Sequence, residues 1–208
     1  MASHVGDLVE FPADGGTGRG YLAPAVGGAG LGVVVIQEGS GLDRHSKDLC
    51  GRLAAEGITA LAVGADAATA PELTGAVDYL LAHPAVRGHT VAVVGFGAGG
   101  GLALWLATLR PDAVAAAVPF YGPIPSDGAR PDYSRLAGAV EVHYADDGVH
   151  GVQELEDTLT DLGKEVRVFH YPGTQPAFFD DTRADVYDED AARVAWVRIL
   201  EFLRAKLG

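Results

Sequence analysis

A single α/β domain with a mostly parallel central sheet is what this sequence predicts, and three observations carry the prediction. GVVVIQ at Gly32–Gln37 and VAVV at Val91–Val94 are continuous apolar runs, as expected of strands buried on both faces. Stretches with helical apolar spacing separate these runs from the ones that follow. Strands and helices then alternate to the end of the chain, the pattern of a sheet joined by crossover helices. The 208 residues suffice for one well-buried core, and no repeat or linker divides them, so the domain is taken as 1–208.

In order, Val5 to Phe11 and Gly20 to Ala23 read as an antiparallel edge hairpin around a Gly-rich turn, Ala13 to Gly18. Gly32 to Gln37 is a central strand, ending in the loop Glu38-Gly39-Ser40-Gly41. Loops at the carboxyl ends of central strands are where open α/β sheets bind ligands. A helix follows over Arg44 to Glu56, closed by Gly57, and then a strand over Thr59 to Val63. Pro71 suits the first turn of a helix that runs to Ala82, before His83-Pro84. Val91 to Val94 is the next strand, leading through glycines 95, 97, 99, 100 and 101 into a helix over Leu102 to Leu109. After the strand Ala113 to Tyr121, the Pro-, Gly- and Asp-rich segment Gly122 to Asp132 is a loop. Ala139 to Tyr144 is a strand ending in the acidic turn Asp146-Asp147-Gly148, and Val149 to Leu162 a helix stopped by Gly163. Val166 to Tyr171 is the last strand, and Pro172 to Asp185 a long loop. The terminal helix, Glu189 to Leu207, is expected to bury Val194, Val197, Ile199, Leu200 and Leu203.

A net charge of −13 argues against nucleic acid and anionic membrane as partners. The single cysteine permits no internal disulfide, the start has neither a basic nor an apolar leader segment, and no apolar run is of membrane-spanning length. A cytoplasmic protein is the expectation, with a small molecule as its partner and the oligomeric state left open. Histidines are scattered and the cysteine is alone, so no metal ligand set is expected, and no cofactor.

The glycine turn after Val91–Val94 fits two devices. Gly95, Gly97 and Gly100 satisfy the dinucleotide fingerprint G-x-G-x-x-G literally. That motif belongs in the first βαβ unit, with an acid at the end of the next strand, but several strands precede this turn and the next ends in Tyr121. The better reading is a nucleophile elbow, G-x-nucleophile-x-G, in which Gly97 stands where the nucleophile belongs.

VVVIQEGSGL (33–42), RLAAEGITALA (52–62), VVGFGAGGGLALWLA (93–107), FYGPI (120–124), HYADD (143–147), and YPGTQPAFFDDTR (171–183) with AARVAWVRILEFL after it carry a resemblance. In this order they identify the chain as similar to the dienelactone hydrolase family of the α/β-hydrolases, over nearly its whole length. The resemblance implies a central sheet with helices on both faces and a Cys-His-Asp triad. The family's nucleophilic Cys falls on Gly97, its His on Pro176, and its Asp on Asp147 or, in the other register, Asp146. Its glutamate beside the nucleophile is kept as Glu38, and the segment Gly64 to Ala70 is short against the family.

Glycine offers no nucleophile and proline no base, so thiol-dependent hydrolysis by the family mechanism is not expected. Cys50, on an apolar helix stripe with Leu49 and Leu53, reads as a structural thiol. The elbow would still offer an oxyanion hole from the N–H groups of Ala98 and Gly39, with Glu38 as a base beside it. Ser40 is either a displaced nucleophile or a solvated loop residue; His150 either re-enters the site or starts a helix in solvent. Tyr121 lines the pocket or simply packs, Phe178 and Phe179 form core or pocket wall, and His143 packs mid-strand. Asp43 and His45 suit capping and surface roles. Two functions stay open: a non-hydrolytic isomerase, lyase or cyclase acting on a small carbonyl, lactone or polyketide-like compound through Glu38 and the oxyanion hole, or a non-catalytic binder of a ligand or partner protein.

Overall fold

The structure, a computed structural model, describes residues 6–39, 43–65, 68–122, 131–146 and 151–208. Its strands are β1 (Asp7–Ala13), β2 (Gly16–Ala23), β3 (Leu31–Gln37), β4 (Ile58–Gly64), β5 (Val91–Phe96), β6 (Val114–Phe120), β7 (Ala139–Ala145) and β8 (Val166–Tyr171). Its helices are α1 (Arg44–Ala55), α2 (Ala70–Ala82), α3 (Ala98–Leu109), α4 (Val152–Asp161) and α5 (Glu189–Leu207). The strands form one sheet in the order β1-β2-β4-β3-β5-β6-β7-β8. β2 is antiparallel to β1 and β4, and every other neighbouring pair is parallel.

Alternation along the central strands builds a core on each face. Val33 and Val35 of β3 join the cluster under α1 and α5, while Val34 and Ile36 join the one under α2 and α3. Helix starts are chemically marked. Asp43 caps α1 by accepting the Ser46 N–H at 2.8 Å, and Thr69 and Glu72 close a capping box on α2. Among the described residues, no helix is long and apolar enough to cross a membrane.

Three expectations are corrected. The hairpin turn is Asp14-Gly15 alone, with Gly15 at φ +79° and Ala13 facing Gly16, so Gly16 to Gly18 are strand rather than turn. α3 begins at Ala98, because Gly99 packs where a Cβ would lie 2.1 Å from the Ile36 carbonyl oxygen; the glycines are the helix's first turn, fitted against β3. In α5, Val194 and Val197 are exposed. The buried stripe is Ala191, Ala192, Ala195, Ile199, Phe202 and Leu203, joined by Leu200, and the two valines lie off that 3.6-residue face.

α5 is also tied to the sheet by a buried polar chain. His143 is fully buried on β7, stacked on Phe120 at 4.4 Å with 4° between the rings. Its Nε2 lies 3.1 Å from Glu141 Oε1 and its Nδ1 2.7 Å from the Tyr171 hydroxyl. A carboxylate accepts only, so Nε2 carries the proton and Nδ1 accepts from Tyr171. Arg198 of α5 bonds Tyr171 in turn and lies 4.0 Å over the Phe169 ring. Burial holds the His143 pKa below its ordinary value, against the opposing pull of Glu141. The unfolded chain therefore takes up more protons than the folded one below about pH 6.5, and this residue withdraws stability as the pH falls through that range. Imidazole nitrogen NMR at pH 6 should show His143 neutral with its proton on Nε2; an imidazolium signal there would contradict the assignment.

Candidate active site

Sheet register builds the site. Ile36 of β3 faces Gly95 of β5, and Phe96 of β5 faces Phe120 of β6. Continued past the strand ends, the same register sets Glu38, Gly97 and Tyr121 in one row across three neighbouring strands. The chain runs outward from β3 to β4 and returns across β3 to β5, so the row lies at the topological switch point of the sheet, at its carboxyl edge.

Gly97 forms the tip of the strand–helix turn, with φ +54° and ψ −126°. Its N–H reaches the Phe120 carbonyl at 3.2 Å and its carbonyl accepts the Gly100 N–H at 2.9 Å. A Cβ built on Gly97 would lie 2.6 Å from Glu38 Oε2 and 3.0 Å from Glu38 Cδ. The carboxylate of Glu38 thus fills the space above the turn that a nucleophile's side chain would use. Ala98 opens α3, so its N–H has no acceptor within the helix and stands at the positive end of the helix dipole. Gly39, expected as the second oxyanion donor, follows Glu38 with φ +73°.

Tyr121 completes the row in a strained backbone, φ +32°, a conformation uncommon for a residue with a Cβ. Its ring lies edge-on to Phe178 at 5.5 Å and to Phe120 at 5.6 Å. Burial first, then the charges of Asp180 and Glu38, push its phenol well above the ordinary range, against the opposing effect of Arg183. Under the row runs an aromatic floor: Phe96 stacks on Phe120 at 4.8 Å and on Phe179 at 5.6 Å. Phe178 and Phe179 are fully buried, so of the two expectations they take the core.

Pro176 is exposed, on the loop that Phe178 seats against Tyr121. Asp146 is committed to the same loop, accepting the Gly173 N–H at 2.5 Å. Asp147, Ser40 and His150 lie outside the described residues. Cys50 is fully buried and burial pushes its thiol up to about 12, so it is neither thiolate nor accessible.

His45 is a correction. Expected near the surface, it is buried, with Nδ1 3.2 Å from Asp180 Oδ1 and 3.8 Å from Asp181 Oδ1. This is a ligand-type cluster where none was expected. The partners come from α1 and from the loop after β8, so no sequence spacing announces them. Asp180 Oδ1 already accepts from Thr182 Oγ1 at 2.6 Å and Thr182 N at 3.0 Å. Both bonds come from within the loop and hold Asp180, whose charge acts on Tyr121. Asp180 and Arg183 are the site residues that pattern reasoning passed over, although both lie in the FFDDTR stretch of the resemblance.

The model of the family described as "Dienelactone hydrolase family" matches residues 64–207. The protein usf of Aquifex pyrophilus is 31% identical over 98% of this chain and 100% of its own length. A candidate carboxymethylenebutenolidase of Aquifex aeolicus is 28% identical over the same shares of the two chains. Among solved structures, a dienelactone hydrolase-like promiscuous phosphotriesterase from metagenomic libraries superposes with a TM-score of 0.85 at 24% identity, covering 98% of each chain. The dienelactone hydrolase of Anabaena variabilis gives 0.74 at 21% identity, covering 99% of this chain and 100% of its own. These two likenesses establish the fold.

Two outcomes test the geometry. Gly97→Ala should cost about 1–3 kcal/mol, because a side chain at this φ is strained. Thermal melting reads it as a fall of at least about 2 °C, and an unchanged melting temperature would contradict the turn. The native protein should leave Cys50 unmodified by iodoacetamide, as intact mass would report, until it is unfolded.

Proposed function

The chain belongs to the dienelactone hydrolase family, and within it we propose a member that works by acid–base rather than thiol chemistry. The carrying observation is the Glu38 carboxylate in the nucleophile's space over Gly97. A carboxylate there, a backbone donor at Ala98 and a second at Gly39 form the pieces needed to take a proton from a carbon next to a carbonyl and hold the enolate that forms. A positioned general base contributes about 10²- to 10⁴-fold, and each oxyanion donor about 10²- to 10³-fold. Neither term needs a nucleophile. The substrate class is a small carbonyl compound, a lactone or a polyketide-like molecule, and the reaction an isomerisation, elimination or cyclisation.

One observation favours the second reading, a family member that binds without turnover. Asp146, one of the two candidate triad acids, is spent on the Gly173 backbone instead of a catalytic partner.

Melting shifts across lactones, enol esters and aromatic polyketides, followed by product analysis, separate the two readings. Turnover supports the enzyme; binding without product supports the binder. For any substrate so found, Glu38→Gln should lower turnover by about 10²- to 10⁴-fold at an unchanged melting temperature. Unchanged turnover would rule Glu38 out as the base.

A further inference from the structure

We propose that Tyr121 is the catalytic hydrogen-bond donor opposite Glu38, and that the pair carries out allylic isomerisation, moving a β,γ double bond of a lactone or ketone into conjugation with its carbonyl. The proposal rests on the acid–base reading and gives it a second residue and a reaction.

Placement comes first. Register sets Tyr121 and Glu38 on either side of Gly97, so a carbonyl compound over the turn meets a carboxylate from β3 and a phenol from β6. Strain comes second. The backbone holds Tyr121 at φ +32°, a strained conformation for a non-glycine residue, which the surrounding structure must over-determine. It does so through the Tyr121 N–H bond to the His143 carbonyl at 2.8 Å and through the rings of Phe120 and Phe178. Among the described residues, none hydrogen-bonds the Tyr121 hydroxyl. The groups facing it are Glu38 from the loop after β3 and Asp180 and Arg183 from the loop after β8; with burial, their balance keeps the phenol protonated. A neutral donor in a largely apolar wall is the form that stabilises an enolate without being consumed.

The reaction follows from having one base. Glu38 takes the proton from the carbon between the carbonyl and the alkene. The C–H pair becomes the new C=C of a dienolate, and the carbonyl π pair moves to oxygen, held by the Tyr121 O–H and the Ala98 N–H. Collapse of the dienolate forms a C–H bond at the γ carbon with the proton that Glu38 carries. Every proton returns to the substrate, and no water, nucleophile or further reactant is needed.

The probe is 5-methyl-2(3H)-furanone, a β,γ-unsaturated lactone. Its conversion to the conjugated isomer is followed by absorbance, and deuterium uptake in D2O by NMR. Wild type should catalyse both. Tyr121→Phe keeps the ring and its packing, so its melting temperature should stay close to wild type. Its kcat should fall about 10²- to 10³-fold, the effect of losing one oxyanion donor, with KM within about twofold. A residue that only walls the pocket would move KM and leave kcat alone. If Glu38→Gln is inactive while Tyr121→Phe keeps the wild-type kcat, the role of Tyr121 is overturned and the base survives. If wild type neither exchanges nor isomerises the probe, the isomerase proposal is overturned, while turnover of another carbonyl substrate would keep the broader acid–base reading.

Discussion

The chain passes from β5 into α3 through one residue, Gly97, at φ +54°. An L side chain is strained there, and in an elbow that strain lifts one side chain above the sheet edge. Here there is no side chain to lift. The turn survives with its strain relieved, because glycine occupies positive φ at little steric cost. The vacated volume is taken by Glu38 from the neighbouring strand. In the proposed reading, the chemistry falls to the residues on either side of the turn.

That turn is held by close backbone approach. A Cβ on Gly95 would meet the Gly99 carbonyl oxygen at 2.0 Å, and one on Gly122 would meet that of Gly97 at the same distance. α3 thus sits against β5, and the start of the loop after β6 against the turn, too tightly for any side chain at these positions. This also explains why G-x-G-x-x-G appears literally in the sequence. The glycines serve packing between strand, helix and loop.

Much of this was legible in the sequence, for physical reasons. Two-sided burial makes central strands continuously apolar, so β3 and β5 announce themselves, and the missing side chains at Gly97 and Pro176 can be read from the chain. The acidic character of Glu38 was legible too, but its position over Gly97 was not. That depends on the β3–β5 register, which brings together residues far apart in sequence. Tyr121 showed as the end of a strand, while its strained φ is set by tertiary contacts and leaves no composition signal. His45 was misplaced for the same reason: a histidine beside a helix cap looks solvated until the loop after β8 folds over it. α5 misled through valines that lie off the face selected by its alanines.

At the centre of the proposal stands the loss of thiol-dependent hydrolysis for want of two side chains on an intact scaffold. The most direct measurement is the initial rate of 4-nitrophenyl acetate hydrolysis by wild type, Gly97→Cys, and the double variant Gly97→Cys, Pro176→His, with the fold of each checked by melting. Only the far end of the flexible Glu38 side chain crowds a new Cβ at position 97, so it can swing aside. The account predicts no thiol-dependent rate in wild type, little in Gly97→Cys, whose thiol lacks a base, and a measurable gain in the double variant. The gain should be modest, since a misplacement of about 1 Å costs about 10²-fold. Efficient ester hydrolysis by the wild-type protein would contradict the account.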